Sequence, residues 1–513
     1  MIRAGVASPL RREGSHRDVV LVAVIAGLHA YSVWAFGATF WYDSANYLQL
    51  GLALGSPLDL REYYGGPNYY IYQHLMPGYP LLFATTLRVF GAYGWPVLTA
   101  IQHLVAIGAL VYFLGGYRDW LPPRWRLVTG ILICAHPFYM AFHAAPMTES
   151  LTGSLLLIAV GAALRILGGG PASRYTLPLL AGCGVVGVQI RSSVGMIVLG
   201  FLAVLFFVAS ARAGRLRTTL AAVAVAASVL CFPAYRWIVT GAFFMPNLDY
   251  VTLALALGVN PHPSDDAVRK LEAFPLPSDL SAETIARRGL TYQQAANLGI
   301  HLRSLGHSDD AARTMVKRMA WIVRTDSPRV MVNQARLALL SVGSSRLALV
   351  GADTRELYRG LGEFRHHVQY YLRWFSWTRF DTYAPVFDRF FAMFGQTPET
   401  IDEGVRQSLK SFLTPFFVKR KPAVRDPLRL LTIPFDVWLA ASLLAVLSLS
   451  RRRGAIGVLC VTPVLLSYLV SLSAPIGDLR YSQGLLPLYL AGTVVFLAQA
   501  TAWCRSLILA AHA

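Results

Sequence analysis

Two short stretches of this sequence hold a carboxylate where a carboxylate can do chemistry. The first is Phe40-Trp41-Tyr42-Asp43-Ser44-Ala45-Asn46-Tyr47. Asp43 and Tyr47 are four residues apart and share a face if the segment is helical. Asp43 and Ser44 also suit a helix start, where a carboxylate or hydroxyl meets free N–H groups at the positive end of the helix dipole. The second is Pro146-Met147-Thr148-Glu149-Ser150-Leu151. It reads the same two ways: an N-cap with a first-turn acid, or a reactive Glu149. Between them lies a Gly/Pro/Asn turn, Gly65-Gly66-Pro67-Asn68, flanked by Tyr63, Tyr64, Tyr69 and Tyr70. Such tyrosines stack on sugar or line a membrane interface. His74 and the run Met76-Pro77-Gly78-Tyr79-Pro80 follow, and these prolines stop one element and start another. Asp43, Glu149 and His143 are donors that a divalent cation could use. No metal-ligand spacing supports one, so no cofactor is assigned.

The elements that must position these residues are membrane spans. Of 513 residues, 55% are hydrophobic and only 14% charged, and the mean hydropathy is +0.48. A soluble chain carries about a quarter charged residues. A soluble enzyme, a disordered chain and a disulfide-stapled secreted domain are therefore excluded. A span needs about 20 mostly apolar residues, and the sequence predicts about 10 of them: 19–38, 93–115, 127–144, 149–167, 176–191, 194–211, 218–240, 432–450, 455–473 and 484–503. The predicted fold class is an all-α polytopic membrane protein with a mostly helical extracytoplasmic domain. Residues 1–240 form an N-terminal module of about seven spans, with a long external segment at 39–92. Residues 241–431 form the extracytoplasmic domain, and residues 432–513 a C-terminal module of about three spans.

Charge sets the orientation. Lys and Arg number 46 against 27 Asp and Glu, a net of +19. A basic balance of this size is compatible with nucleic acid, but its distribution is not that of a nucleic-acid patch. Arg11, Arg12, Arg124, Arg126, Arg215, Arg217 and the run Arg451-Arg452-Arg453 gather in short segments of one face, against few acids such as Glu13, Asp18 and Asp119. This is the positive-inside pattern. Both termini are expected in the cytoplasm of a multi-pass protein of the cell's inner (plasma) membrane, in contact with membrane lipid and with no nucleic-acid partner. The first apolar run lacks a small-residue cleavage site and reads as a retained signal-anchor. The five cysteines, Cys134, Cys183, Cys231, Cys460 and Cys504, fall in or beside spans, so no disulfide framework is implied.

Taken in order, the motifs resemble a known family. An acid-Ser-x-x-Tyr run after the first span, then Pro77-Gly78-Tyr79-Pro80-Leu81-Leu82-Phe83-Ala84, is similar to the multi-spanning glycosyltransferases of the GT-C superfamily. The nearest branch is the bacterial one that includes protein O-mannosyltransferases, aminoarabinose transferases and galacturonic-acid transferases. Three later segments agree: His136-Pro137-Phe138-Tyr139 through Thr148-Glu149, the Gly184–Gly187 stretch ending at Arg191, and Asp478-Leu479-Arg480-Tyr481 with Pro487. The order and spacing carry the resemblance, since each motif is short. The 241–431 segment shows no motif of the family.

The resemblance implies a sugar transferred from a polyprenyl-phosphate carrier to an external acceptor hydroxyl on a glycan, lipid or protein, with inversion and without a nucleotide sugar. It implies Asp43 as general base, a task that suits a carboxylate whose pKa burial raises, and Glu149 as the second acid. Tyr42, Tyr47, Tyr79 and Tyr481 would line the substrate pocket. The arginines add an argument of their own. Arg191, Arg236 and Arg480 lie at or near external span ends, where short segments should be poor in Arg and where Arg is usually paired or functional. Guanidinium matches phosphate bidentately. Arg191 and Arg480 are therefore expected to bind the donor phosphate, with Arg236 a weaker candidate. Relatives often carry a basic residue where Leu75 stands, so His74 is the expected substitute. The competing readings are a transporter or flippase, which predicts inverted repeats and midplane charge, and a non-catalytic scaffold of the same fold.

Overall fold

The computed structural model describes residues 10–36, 47, 50, 51, 53–55, 60, 76–118, 121–135, 137–168, 174–208, 214–241, 260, 262–288, 298, 299, 301–330, 332, 346–348, 432–434, 494, 498, 501 and 504. Helix α1 runs over Leu10–Phe36, α2 over Gly78–Phe90 and, after a single 3₁₀ turn, α3 over Gly94–Gly116. Next come α4 (Pro123–Ala135), α5 (Pro137–Ala144), α6 (Thr148–Gly168), α7 (Thr176–Ile190), α8 (Ser192–Val208) and α9 (Arg215–Thr240). Helices α3, α6 and α9 are long and apolar enough to cross a membrane, and α1, α7 and α8 contain shorter apolar stretches. The protein is a predominantly α-helical polytopic membrane protein. The strands among the described residues are one short antiparallel pair, Arg346–Ala348 with Thr432–Pro434.

The sequence periodicity explains most of this bundle, with one correction. The stretch expected as a single span over 127–144 holds two helices, α4 ending at Ala135 and α5 starting at Pro137. A proline has no N–H to give to a preceding turn and suits a helix start, where Pro137 stands in α5. The last predicted spans, 432–450, 455–473 and 484–503, fall almost wholly outside the described residues. In the bundle, α3 packs along α6, α6 along α7, and α7 along both α8 and α9, while α1 packs on α4. Small residues permit the close approaches. A Cβ at Gly184 would lie 2.6 Å from Val225 and 2.8 Å from Val198, and one at Gly187 would overlap Val194. Apolar helices in lipid gain their mutual attraction from such backbone proximity, because the lipid is as apolar as their side chains. At the other end of the bundle from the site described below, Arg165 stacks on the Tyr112 ring at 3.8 Å and its Nη1 donates to the Gly161 carbonyl.

Beyond the bundle in sequence lie α10 (Asp265–Glu272), α11 (Ala282–Arg288) and α12 (Asp309–Asp326). Two start with a serine cap. Ser264 Oγ accepts from Ala267 N at 3.1 Å, and Ser308 Oγ accepts from Ala311 N at 3.2 Å, each satisfying an otherwise unpaired first-turn amide. Asp326 closes the group by accepting from Asn260 Nδ2 at 2.7 Å and from Ser264 N at 3.1 Å. A hydrogen bond from Lys270, one turn along α10, holds the exposed Asp266 carboxyl below its usual range, with Arg269 adding to the effect.

Candidate functional site

Glu149 is the second residue of α6, and its side chain is 2% exposed. Arg191 is the single extended residue between α7 and α8, at φ −156° and ψ 119°. Its N–H still bonds to Gly187 O at 2.7 Å, while its carbonyl accepts from Val194 N at 3.0 Å. The chain therefore changes helix at Arg191 with little loss of backbone bonding. Arg191 Nη1 meets Glu149 Oε1 at 3.5 Å. The second carboxylate oxygen of Glu149 accepts from Thr148 Oγ1 at 3.1 Å, and that hydroxyl shares a 3.1 Å hydrogen bond with the Tyr47 hydroxyl. Tyr47 lies edge-on to Tyr79, ring centroids 5.3 Å apart.

The Pro-Gly-Tyr-Pro run explains why these groups can meet. A Cβ at Gly78 would lie 2.7 Å from Gln189 O, and one at Gly51 would overlap Pro80 O. Both glycines let the first turn of α2 wedge between α7 and the stretch that carries Tyr47. Tyr79 is then fully buried. Its hydroxyl donates to Gln102 Oε1 of α3. The Gln102 amide in turn donates to two backbone carbonyls, His143 O at 3.0 Å and Ala145 O at 2.8 Å.

Behind this layer sit three buried histidines. His29 of α1 and His103 of α3 face each other with Nδ1 atoms 2.9 Å apart on ring centroids 5.2 Å apart. One nitrogen donates and the other accepts, so the accepting ring is neutral in this pair. His143 lies 5.5 Å from the first ring and 5.6 Å from the second, packs on Tyr139, and shares a 2.7 Å hydrogen bond with Ser150 Oγ through its own Nδ1. The Nδ1 atoms of two rings thus point at each other and that of the third at a serine. Among the described residues no three His, Cys, Asp or Glu side chains group as a metal site.

Of the residues predicted from sequence, Tyr47, Tyr79, Glu149 and Arg191 lie together in this layer. Asp43, Tyr42, His74, Arg480 and Tyr481 lie outside the described residues. Arg236 is 1% exposed near the end of α9. Sequence reasoning missed Gln102, His29 and His103. Their signal was present: each is a strongly polar side chain within an apolar run, where an unpartnered polar group is expensive.

No family model and no curated protein matches the chain. Solved structures do, at low similarity. An archaeal oligosaccharyltransferase, AglB from Archaeoglobus fulgidus, in complex with an inhibitory peptide and a dolichol-phosphate, matches at 13% identity and a TM-score of 0.40, over 96% of this chain and 52% of its own. The chain thus spans about half the length of that protein. ArnT from Cupriavidus metallidurans bound to undecaprenyl phosphate matches at 13% identity and a TM-score of 0.34, over 84% of this chain and 80% of its own. The apo state of ArnT gives the same TM-score over 85% and 81%. These likenesses are remote in sequence and in shape.

Proposed function

We propose that this protein is an integral-membrane glycosyltransferase that moves a sugar from a polyprenyl-phosphate carrier to an acceptor hydroxyl on the extracytoplasmic face, with inversion. The observation that carries the reading is the ion pair of a nearly buried Glu149 with Arg191, 3.5 Å apart at one end of an apolar helical bundle. A buried carboxylate facing a guanidinium, with hydroxyls beside it, suits a polyhydroxyl substrate that carries a phosphate. Membrane helices rarely keep such charge without a use.

In the proposed reaction the acceptor oxygen attacks the anomeric carbon while the bond from that carbon to the phosphate oxygen breaks. Asp43 takes the acceptor's proton as general base. Polyprenyl phosphate leaves with the bonding electrons, and Arg191 and Arg480 stabilise its growing charge, with His74 donating to a phosphate oxygen. Glu149 orients a substrate hydroxyl and holds the Arg191 guanidinium. Tyr42, Tyr47, Tyr79 and Tyr481 form the aromatic wall of the sugar pocket. The acceptor is a glycan, lipid or protein hydroxyl.

The test is transfer by the purified full-length protein in lipid nanodiscs, supplied with polyprenyl-phosphate-linked sugars. Asp43→Asn at normal membrane levels is expected to lose about 100-fold or more in rate. Unchanged transfer in that variant removes Asp43 from the base role. Movement of an unmodified solute into liposomes, without transfer, replaces the enzyme by a transporter.

A further inference from the structure

The turn that presents Glu149 is held from behind by groups that touch no substrate in the reaction above. Helix α5 ends at Ala144 and α6 begins at Thr148, so only residues 145–147 join them. A helix leaves its last carbonyls without partners. Pro146 prevents the chain from continuing as helix, and the turn is buried among other helices, so water is a poor substitute. Gln102 supplies the missing donors. Both hydrogens of its Nε2 are used, one on His143 O and one on Ala145 O, and its Oε1 accepts from Tyr79. Ala145 O also takes Met147 N at 2.8 Å, which tightens the turn. The amide orientation is thus fixed from both sides: nitrogen toward two carbonyls, oxygen toward a phenol.

A second clasp crosses the same turn. His143, in the last turn of α5, bonds through Nδ1 to Ser150 Oγ in the first turn of α6 at 2.7 Å. Its ring cannot swing away, because Tyr139, His29 and His103 all pack on it. Glu149 therefore stands between two pinned neighbours, Thr148 through Tyr47 and Ser150 through His143. The two clasps converge on one backbone segment from different helices.

We propose that Gln102 and His143 are positioning residues that fix the α5–α6 turn and thereby set the Glu149–Arg191 pair. This rests on the glycosyltransferase reading for its catalytic consequence, though not for its structural one. Misplacing a reactive group by about 1 Å costs on the order of 100-fold in rate, so a loosened turn should be felt in turnover more than in donor binding.

The experiment uses the full-length protein in nanodiscs and two readouts. The first is the Glu149 carboxylate stretching band, followed by infrared difference spectroscopy at fixed neutral pH and assigned as the band lost in Glu149→Gln. The second is sugar transfer. Gln102→Met keeps the side-chain volume and removes both donors; Ser150→Ala removes the second clasp with one atom. Where Gln102→Met does not yield folded protein, Ser150→Ala and His143→Leu carry the test. Each single variant is expected to shift and broaden the Glu149 band and to lower kcat by about tenfold or more, with donor KM within about threefold. His143→Asn, which returns a polar atom near the Nδ1 position, should restore much of both. The double variant His143→Leu/Ser150→Ala should be no worse than either single one, as two ends of one bond require. An unmoved Glu149 band in folded Gln102→Met and Ser150→Ala overturns the proposal. A shifted band with no sugar transfer even by the wild type leaves the clasps standing and sinks the glycosyltransferase reading instead.

Discussion

Glu149 and Arg191 show how far a residue's type alone can be read and where reading needs the fold. An acid in the first turn of a helix is commonly a dipole partner, and Thr148-Glu149 could have been no more than that. In the structure the carboxylate faces Arg191, a residue forty-two positions on and on another pair of helices. Removing one member leaves the other poorly solvated. Arg191→Ala is expected to destabilise the folded protein by about 1–3 kcal/mol, measured as a lower Tm in detergent, and to weaken donor binding. Arg191→Lys should recover stability better than donor affinity, because an ammonium is a point charge without the planar fork. Both residues were legible in the sequence, one as Thr-Glu before an apolar run, the other as an Arg closing a Gly-rich span. Gln102 was legible only as a polar side chain within the apolar run Gly94–Gly116; its three hydrogen bonds show what that side chain holds.

At the level of elements, the glycines carry more information than the apolar residues around them. Gly78 lets α2 touch the α7 backbone two residues before Arg191, at a hypothetical Cβ distance of 2.7 Å from Gln189 O. Backbone cannot yield as a side-chain tip can. Gly78→Ala is therefore expected to displace the first turn of α2, to cost about 1–3 kcal/mol, and to lower sugar transfer while expression persists. Thermal unfolding and transfer rate check this together. Gly187→Val should be worse, since a branched side chain would have to share the space of Val194 across the α7–α8 step. Hydropathy located the spans because apolar length is what a bilayer demands. It joined α4 and α5 because a window over 127–144 averages across Pro137. The break is visible only to an argument about the proline ring, and it is this break that allows α5 to end at His143 and Ala144 beside Gln102. Hydropathy also placed the first span at 19–38, whereas α1 begins at Leu10: charged helix formers add turns that no apolar count detects.

At the scale of the whole molecule, the site occupies one end of the bundle, where α5, α7 and the stretch of chain that carries Tyr47 converge on the starts of α2, α6 and α8. The positive-inside pattern predicts that this end faces away from the cytoplasm. A cysteine-accessibility scan on intact cells is the check, with an introduced cysteine at Tyr93 expected to react with an impermeant thiol reagent and one at Tyr175 expected to be protected. The sequence made the membrane class and the convergence of several motifs legible because each follows from local apolar length, charge or spacing. It could not make the packing of the 241–431 segment legible, which follows from no such local rule. The account's central claim is that the protein transfers a sugar through a site built on Glu149 and Arg191. The most direct measurement is mass spectrometry of envelope lipids and glycans from a strain lacking this protein, complemented with wild type, Glu149→Gln or Arg191→Ala at matched membrane levels. Loss of one sugar residue with build-up of its polyprenyl-phosphate carrier, reversed by wild type and by neither variant, is the predicted result. An envelope profile unchanged by the deletion, or full complementation by both variants, would contradict it.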